Sequence, residues 1–338
     1  MKREALMTTK PMSHLYEKVK NAGFTLPYIK KLLPDWWDDD LAKSPSGKQF
    51  ASLFLSKRFS ICYDSFKDDA TQVVFNLGGN HKFKHRVNVG EDDLNQATAI
   101  AYSAARIAAE NFKVPYDETI NLDWKIVRGK ILEKNQWVSL SALVDYCHSV
   151  GIPVVFLKNF PPKCTKMAGI ALRVLDRPVI VLTQSRKYGY MLFDLAHELG
   201  HIAKGHVNDD NGDVFVDRKI DSQATDIFEA EANAYAFGIL SGKENLQIGS
   251  NFKLNATELA SASQKYGYEN QIDPTHIILN YGYMMNLWPV SSIALKIVSN
   301  NGQAEADQDV VRKSFMKSID YDVINDDDLD LIEKLCGE

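Results

Sequence analysis

The sequence lacks any segment typical of secretion or of a membrane span. Two basic side chains occur in residues 1–6, but a largely polar stretch follows them in place of the apolar core of a signal peptide. A membrane-spanning helix needs about eighteen or more apolar residues in a row, and the chain has no such run. We therefore expect a cytoplasmic protein that makes no contact with a membrane.

Cysteine is scarce as well. The four cysteines in 338 residues form no CxxC pair and no spacing typical of a disulfide framework, which fits a reducing compartment. With 45% hydrophobic and 25% charged residues, the composition is that of a globular protein, and the length allows two domains.

No strong excess of either charge is present, since the net charge is only −5. The two ends of the chain nevertheless differ. Residues 1–60 contain 11 Lys and Arg against 6 Asp and Glu, a net +5, whereas residues 301–338 contain 4 against 11, a net −7. The basic N-terminal part raises the question of nucleic-acid contact.

A metal-binding pattern lies in the middle of the chain, where His197 and His201 flank Glu198 in the order His-Glu-Leu-Gly-His. Side chains at i and i+4 of a helix share one face, so both imidazoles can reach one ion. Glu198 points beside that ion and is predicted to act as a general base and not as a ligand. The helix itself is predicted by an apolar stripe at Leu192, Leu195, Leu199 and Ile202.

A third ligand is expected on a neighbouring helix, because hydrolytic zinc sites combine three protein ligands with an open position. Residues 226–237 are rich in alanine and free of glycine and proline, which predicts a helix. Glu229 and Asn233 share one side of it, so Glu229 is predicted to bind zinc while Asn233 hydrogen-bonds a ligand histidine. Glu231 faces elsewhere and is the alternative ligand. Solvation of both glutamates is the remaining alternative.

A third histidine is a rival for that position. The pattern HExxHxxGxxH requires glycine at 204 and histidine at 207, but the chain has Lys204 and Val207 there. His206 is out of register, and we expect it at the surface or in contact with a ligand residue, just beyond Gly205 at the helix end.

Together these motifs resemble the ImmA/IrrE family of zinc metallopeptidases. The resemblance rests on HExxH at 197–201 and on Glu-Ala-Glu-Ala-Asn at 229–233, and it extends over about residues 120–300. Tyr235 stands where the family pattern has phenylalanine. The resemblance implies a small gluzincin-like fold, a Zn²⁺ cofactor and, as in better understood members, cleavage of a helix-turn-helix repressor.

The fold is predicted to be α+β, with a short sheet packed on helices. Strands are expected at 154–157, 170–174 and 179–182, directly before the zinc helix. We predict four parts: a helical, helix-turn-helix-like domain at 1–72, a β-hairpin and connecting helix at 73–120, the metallopeptidase domain at 121–300, and a solvated, partly helical acidic tail at 301–338.

Nucleic acid is a candidate partner of the N-terminal half. Short helices at 13–22, 26–33 and 46–59 loosely resemble a repressor domain, but they show no concentrated basic stripe, so a scaffold without nucleic-acid contact is the alternative. In the predicted hairpin, Lys82, Lys84 and Arg86 are candidates for phosphate contacts or for an ordinary exposed strand face.

Two further residues are candidates at the metal site. His276 follows a helix start at Pro274 and is predicted to stabilise the oxyanion, with Tyr281 and Tyr283 as rivals for that role. Cys164 lies in a proline-led loop, where its thiolate is a candidate inhibitory zinc ligand. A structural histidine and a packed cysteine are the respective alternatives.

The sequence as a whole predicts a zinc endopeptidase that cleaves a specific protein. The expected substrate is a helix-turn-helix transcriptional repressor encoded nearby, acting in stress response, defence or mobile-element regulation. The alternative is a DNA-binding transcriptional regulator that uses the zinc fold as a non-cleaving sensor or scaffold. Glu198 favours the enzyme, because a site that only binds has no need of a base.

Overall fold

The computed structural model describes residues 11–68, 72–77, 92–162, 164, 167–186, 188–207, 227–300 and 307–337. The chain forms two compact units. Unit 1 comprises Met1–Ile107, Leu157–Lys166 and Ile324–Glu338, and unit 2 comprises Ala108–Phe156 and Met167–Val323. Helices predominate beside one three-stranded sheet, as expected for an α+β protein. Within the described residues, no helix is long and apolar enough to cross a membrane.

The sheet lies in unit 2. Strands β1 (Val154–Phe156), β2 (Gly169–Val174) and β3 (Arg177–Leu182) are arranged in the order β1-β3-β2, so β1 and β2 are the edges. β1 pairs with β3 in parallel, whereas β2 and β3 form an antiparallel hairpin. Its two turn residues, Leu175 and Asp176, both have positive φ, which matches the twist of a two-residue hairpin. The predicted strands are found within a residue or two of their expected bounds.

The helices of unit 2 surround this sheet and extend beyond it. They are α5 (Trp124–Leu132), α6 (Leu140–Ser149), α7 (Tyr188–Ala203), α8 (Ile227–Ser241), α9 (Ala256–Asn270), α10 (Pro274–Met285), α11 (Trp288–Asn300) and α12 (Asp307–Ser318). One apolar core joins α5 to α8 with the strands, and a second one joins α9, α10 and α11. Both cores consist of aliphatic and aromatic side chains removed from water, the main favourable term in folding.

Helices α7 and α8 approach each other closely at a glycine. A Cβ at Gly200 would lie 3.0 Å from the Cα atom and the carbonyl oxygen of Ala232, so a larger residue would force the two backbones apart. Because His201 follows Gly200 and Glu229 lies one turn before Asn233, this contact sets the distance between the polar faces of the two helices.

Unit 1 contains α1 (Pro11–Asn21), α2 (Leu26–Leu32), α3 (Pro45–Phe59), most of α4 (Asp92–Asn111), and α13 (Asp326–Cys336). The segment 301–338 was predicted to be a solvated, partly helical tail. In the described part of it, α13 includes the predicted helical stretch, but the solvation is wrong. Each helix buries apolar side chains within its own unit: Phe315 in α12, and Leu331, Ile332 and Leu335 in α13. The acidic composition of the segment gave no indication of these apolar faces.

The acidic side chains of α13 neutralise basic ones from the N-terminal helices. Arg58, only 3% exposed, pairs with Asp330, and the Arg106 guanidinium lies 2.9 Å from the carboxylate of Asp328. Lys57 adds a 3.3 Å contact to Asp328. The charges of Lys57 and Arg58 are therefore both engaged within unit 1.

Helix α3 has apolar side chains in solvent as well as in the core. Phe50 and Leu53 are 46% and 49% exposed, while the buried side contains Ala51, Leu55 and Phe59. The aromatic ring of Phe50 packs instead against the exposed Trp36, with ring centroids 6.1 Å apart. A helix this apolar on both sides gives no clear periodicity, so the sequence did not distinguish the two faces.

Candidate metal centre

Helix α7 brings the two histidines of the HExxH pattern together. Both are buried, and their Nε2 atoms lie 3.1 Å apart, pointing at the same space. The apolar stripe that predicted this helix packs into the core of unit 2, which leaves the histidine side to face α8. The i, i+4 spacing therefore has the geometric effect expected from the sequence.

Glu229 of α8 completes a triangle of ligand atoms. Its carboxylate oxygens lie 3.2 Å from the Nε2 of His197 and 3.3 Å from the Nε2 of His201. A tetrahedral zinc ion with ligands at 2.0–2.1 Å needs about 3.3–3.4 Å between ligand atoms. In the part of the chain that the structure describes, His197, His201 and Glu229 are the group of acidic, histidine or cysteine residues suited to hold a metal ion. The donor set and its spacing fit Zn²⁺.

The electrostatics of Glu229 favour its charged form. Burial alone raises the pKa of this carboxyl, but hydrogen bonds and charge interactions with His197 and His201 outweigh that effect and lower the pKa to about 2. A carboxylate that stays ionised at neutral pH is the form that ligates a metal.

The second ring nitrogen of His197 contacts α8. Its Nδ1 lies 3.1 Å from the Oδ1 of Asn233. Because an amide oxygen accepts hydrogen bonds, the proton of the ring is placed on Nδ1 and the lone pair on Nε2, toward the ligand triangle. Asn233 thus occupies the supporting position that the sequence predicts for it.

The second ring nitrogen of His201 contacts another histidine. His201 Nδ1 lies 3.0 Å from His206 Nδ1, and His206 Nε2 lies 2.9 Å from a carboxylate oxygen of Glu231. Glu231, the alternative ligand, therefore contacts His206 and is not part of the ligand triangle. His206 itself is buried, and this burial lowers its pKa despite the contact with Glu231.

Glu198, which follows His197 in α7, is held against the sheet. It is 2% exposed, and a Cβ at Gly169, the first residue of β2, would lie 2.7 Å from its Cγ atom. Gly169 was not among the candidates predicted from the sequence. A glycine at the start of a strand is the signal that could have revealed it, since such residues mark close approaches of the backbone.

His276 is buried against aromatic rings. Its ring stacks on Phe193 at 6.2 Å, and Phe193 also stacks on His197 at 6.3 Å. Burial lowers the pKa of His276 to about 4, which leaves the imidazole neutral. Of its rivals, Tyr281 is buried and its hydroxyl accepts a hydrogen bond from the backbone of Leu254, whereas Tyr283 is exposed. The oxyanion role of His276 stays a prediction.

Of the remaining predicted site residues, the structure describes only Cys164. Cys164 belongs to unit 1, where it is half-buried and interacts with the phenol of Tyr28. Its role as an inhibitory ligand stays a prediction. Lys82, Lys84 and Arg86 lie outside the described residues.

Comparison with known families gives a match over the segment that contains this centre. Residues 147–295 match the family model Peptidase_M78, an IrrE N-terminal-like domain. This match supports the ImmA/IrrE family. The ImmA/IrrE-like segment contains all of α7 and α8, and with them both histidines and Glu229. The match also supports a peptidase activity. No curated protein and no solved structure matches the chain significantly.

Proposed function

We propose that the chain is a zinc-dependent endopeptidase of the ImmA/IrrE type. The observation that supports this most directly is the grouping of His197, His201 and Glu229. The two Nε2 atoms lie 3.1 Å apart, and each lies 3.2–3.3 Å from one oxygen of Glu229. The buried Glu198 follows His197 in the same helix. A site that only binds metal requires the triangle, whereas hydrolysis also requires a base.

His197, His201 and Glu229 would hold Zn²⁺, which would supply Lewis-acid chemistry toward water and the scissile carbonyl. Glu198 accepts the proton of the attacking water and transfers it to the leaving amine. Its burial against Gly169 keeps the carboxylate in one place, so little reorganisation is needed during the reaction. Asn233 fixes the ring of His197 through the Nδ1 hydrogen bond.

The substrate is proposed to bind as an extended strand. β2 is an edge of the sheet and begins next to Glu198, so a peptide added along this edge places its backbone beside the base. A cavity of about 670 Å³ lies farther along, lined by Arg173 of β2 and by Ile202, Ala203 and Lys204 at the end of α7. Side chains of the substrate beyond the scissile bond have room there.

The substrate class follows from the family resemblance and is proposed to be a helix-turn-helix repressor encoded nearby, in the cytoplasm. The alternative, a DNA-binding regulator that cleaves nothing, draws little support from the described residues, because Lys57 and Arg58 pair with Asp328 and Asp330.

Co-expression of the full chain with the neighbouring repressor, followed by intact-mass analysis, tests this function. We expect two repressor fragments whose masses add up to the intact protein plus one water. The Glu198→Gln variant is the matched control and should leave the repressor intact. Fragments of equal yield with Glu198→Gln would refute the assignment of the base, and an intact repressor with the zinc-loaded wild type would refute the proposed substrate.

A further inference from the structure

We infer that His206 and Glu231 form a hydrogen-bond relay that fixes the tautomer and ring orientation of His201 for metal binding. The relay runs from His201 Nδ1 to His206 Nδ1 over 3.0 Å and from His206 Nε2 to Glu231 Oε2 over 2.9 Å. It rests on the proposed metal site but not on any particular substrate.

The end of α7 explains why His206 reaches His201. Gly205 has φ +74, and its N–H bonds the carbonyl of Ile202, while the N–H of His206 bonds the carbonyl of His201 at 2.9 Å. These two bonds define a Schellman cap, in which the residue after the left-handed glycine lies over the residue three positions before the cap. In most helices this contact is apolar. Here it joins two imidazoles, and the chain reverses so that His206 is buried.

The proton positions in the relay follow from the carboxylate of Glu231 at one end of it. An ionised carboxylate only accepts hydrogen bonds, so Glu231 requires the proton of His206 on Nε2. His206 Nδ1 then has a lone pair and accepts the proton of His201 Nδ1. This leaves the lone pair of His201 on Nε2, the atom that faces His197 and Glu229. Every hydrogen bond has one donor and one acceptor.

The two ligand histidines are therefore supported differently. His197 donates to the neutral amide of Asn233, whereas His201 donates to an imidazole that is itself bonded to a carboxylate. Partners of this kind orient the ring and raise its basicity, and their removal typically costs about 10–100-fold in metal affinity. His206 and Glu231 are thus positioning residues that act through His201.

Paired substitutions test the relay. In His206→Asn the amide oxygen takes nearly the place of the Nδ1 atom and can still accept from His201. His206→Gln places its amide near the former Nε2 and removes the acceptor that His206 offers to His201. We expect the zinc dissociation constant, measured by competition with a chromophoric chelator, to rise about 10–100-fold in His206→Gln and much less in His206→Asn. The visible spectrum of the Co²⁺-loaded protein should change in His206→Gln only.

His148 provides a control, since it is another buried histidine of unit 2, bonded to the Val154 N–H and close to Ser314. His148→Asn should lower the melting temperature of the metal-free protein without changing zinc affinity or the Co²⁺ spectrum. The relay is overturned if folded His206→Gln binds zinc as tightly as the wild type, or if His206→Asn and His206→Gln lose affinity equally. Because these measurements need no substrate, they test the relay even if the repressor is not cleaved.

Discussion

Replacing Gly169 with alanine tests the position of Glu198 with a single methyl group. The new Cβ would lie 2.7 Å from the Cγ and 2.9 Å from a carboxylate oxygen of Glu198. Ordinary contact between such atoms begins near 3.4 Å, so the glutamate must move by roughly 0.7 Å or more. Gly169 cannot easily retreat, because it pairs in register with Leu182 of the central strand. A displacement of about 1 Å in a catalytic group can cost on the order of 100-fold in rate, so we expect kcat to fall about 10–100-fold.

The zinc content of Gly169→Ala should stay at the wild-type level, because the three atoms nearest to the new Cβ all belong to Glu198 and not to a proposed ligand. Cleavage of the repressor under single-turnover conditions measures the rate, and elemental analysis measures the zinc content of the protein. Gly129→Ala is the matched control, since a Cβ at that helical position meets nothing within 4 Å. A wild-type rate in Gly169→Ala, or an equal loss in Gly129→Ala, would refute the reasoning.

Three further predictions concern the ligands, the acidic helix and the thiol. Glu229→Ala should lose zinc and activity together, whereas Glu198→Gln should keep zinc and lose cleavage; full metal occupancy in Glu229→Ala, measured by elemental analysis, would contradict the ligand assignment. Asp328→Asn should lower the free energy of unfolding by on the order of 2 kcal/mol at pH 7, measured by chemical denaturation. Burial raises the pKa of Asp328, but hydrogen bonds and charge from Arg106 outweigh it and hold the pKa below 3.8. This stabilisation is therefore present above about pH 4 and is lost as the pH falls through the lowered pKa. If the difference in free energy of unfolding between wild type and Asp328→Asn stayed the same below that pH, the reasoning would be wrong. Cys164→Ala should raise basal cleavage without loss of zinc if the thiol is an inhibitory ligand, and an unchanged basal rate would rule that out.

Local patterns predicted the parts of the site that depend on one helix. The four-residue spacing of His197 and His201 and the apolar stripe of α7 are properties of a single helix, and the structure brings both imidazoles to one side. Glu229 and Asn233 could be read in the same way from the spacing along α8. Their placement opposite α7 needed the close contact at Gly200, which no periodicity reveals.

Local sequence patterns did not predict the contacts between distant segments. His206 was judged by its register in a motif, whereas its position depends on the cap at Gly205 and on a carboxylate from the next helix. The C-terminal helix was judged by its acidic composition, but its charges meet Arg58 and Arg106 from far earlier in the chain. Whether a charged side chain can be buried depends on its partner. A partner more than two hundred residues away gives no signal in the local sequence.

The location of α13 has a consequence for the order of events during synthesis. Unit 1 is assembled from three separate stretches, the last of which begins at Ile324, and all of unit 2 is made before it. Until α13 emerges from the ribosome, Arg58 and Arg106 have no acidic helix to neutralise them, although their own helices are long complete. Unit 2, with the proposed zinc ligands, can fold as soon as its own residues are available. A nascent chain is thus expected to fold the proposed metal-binding centre before its first residues reach their final packing.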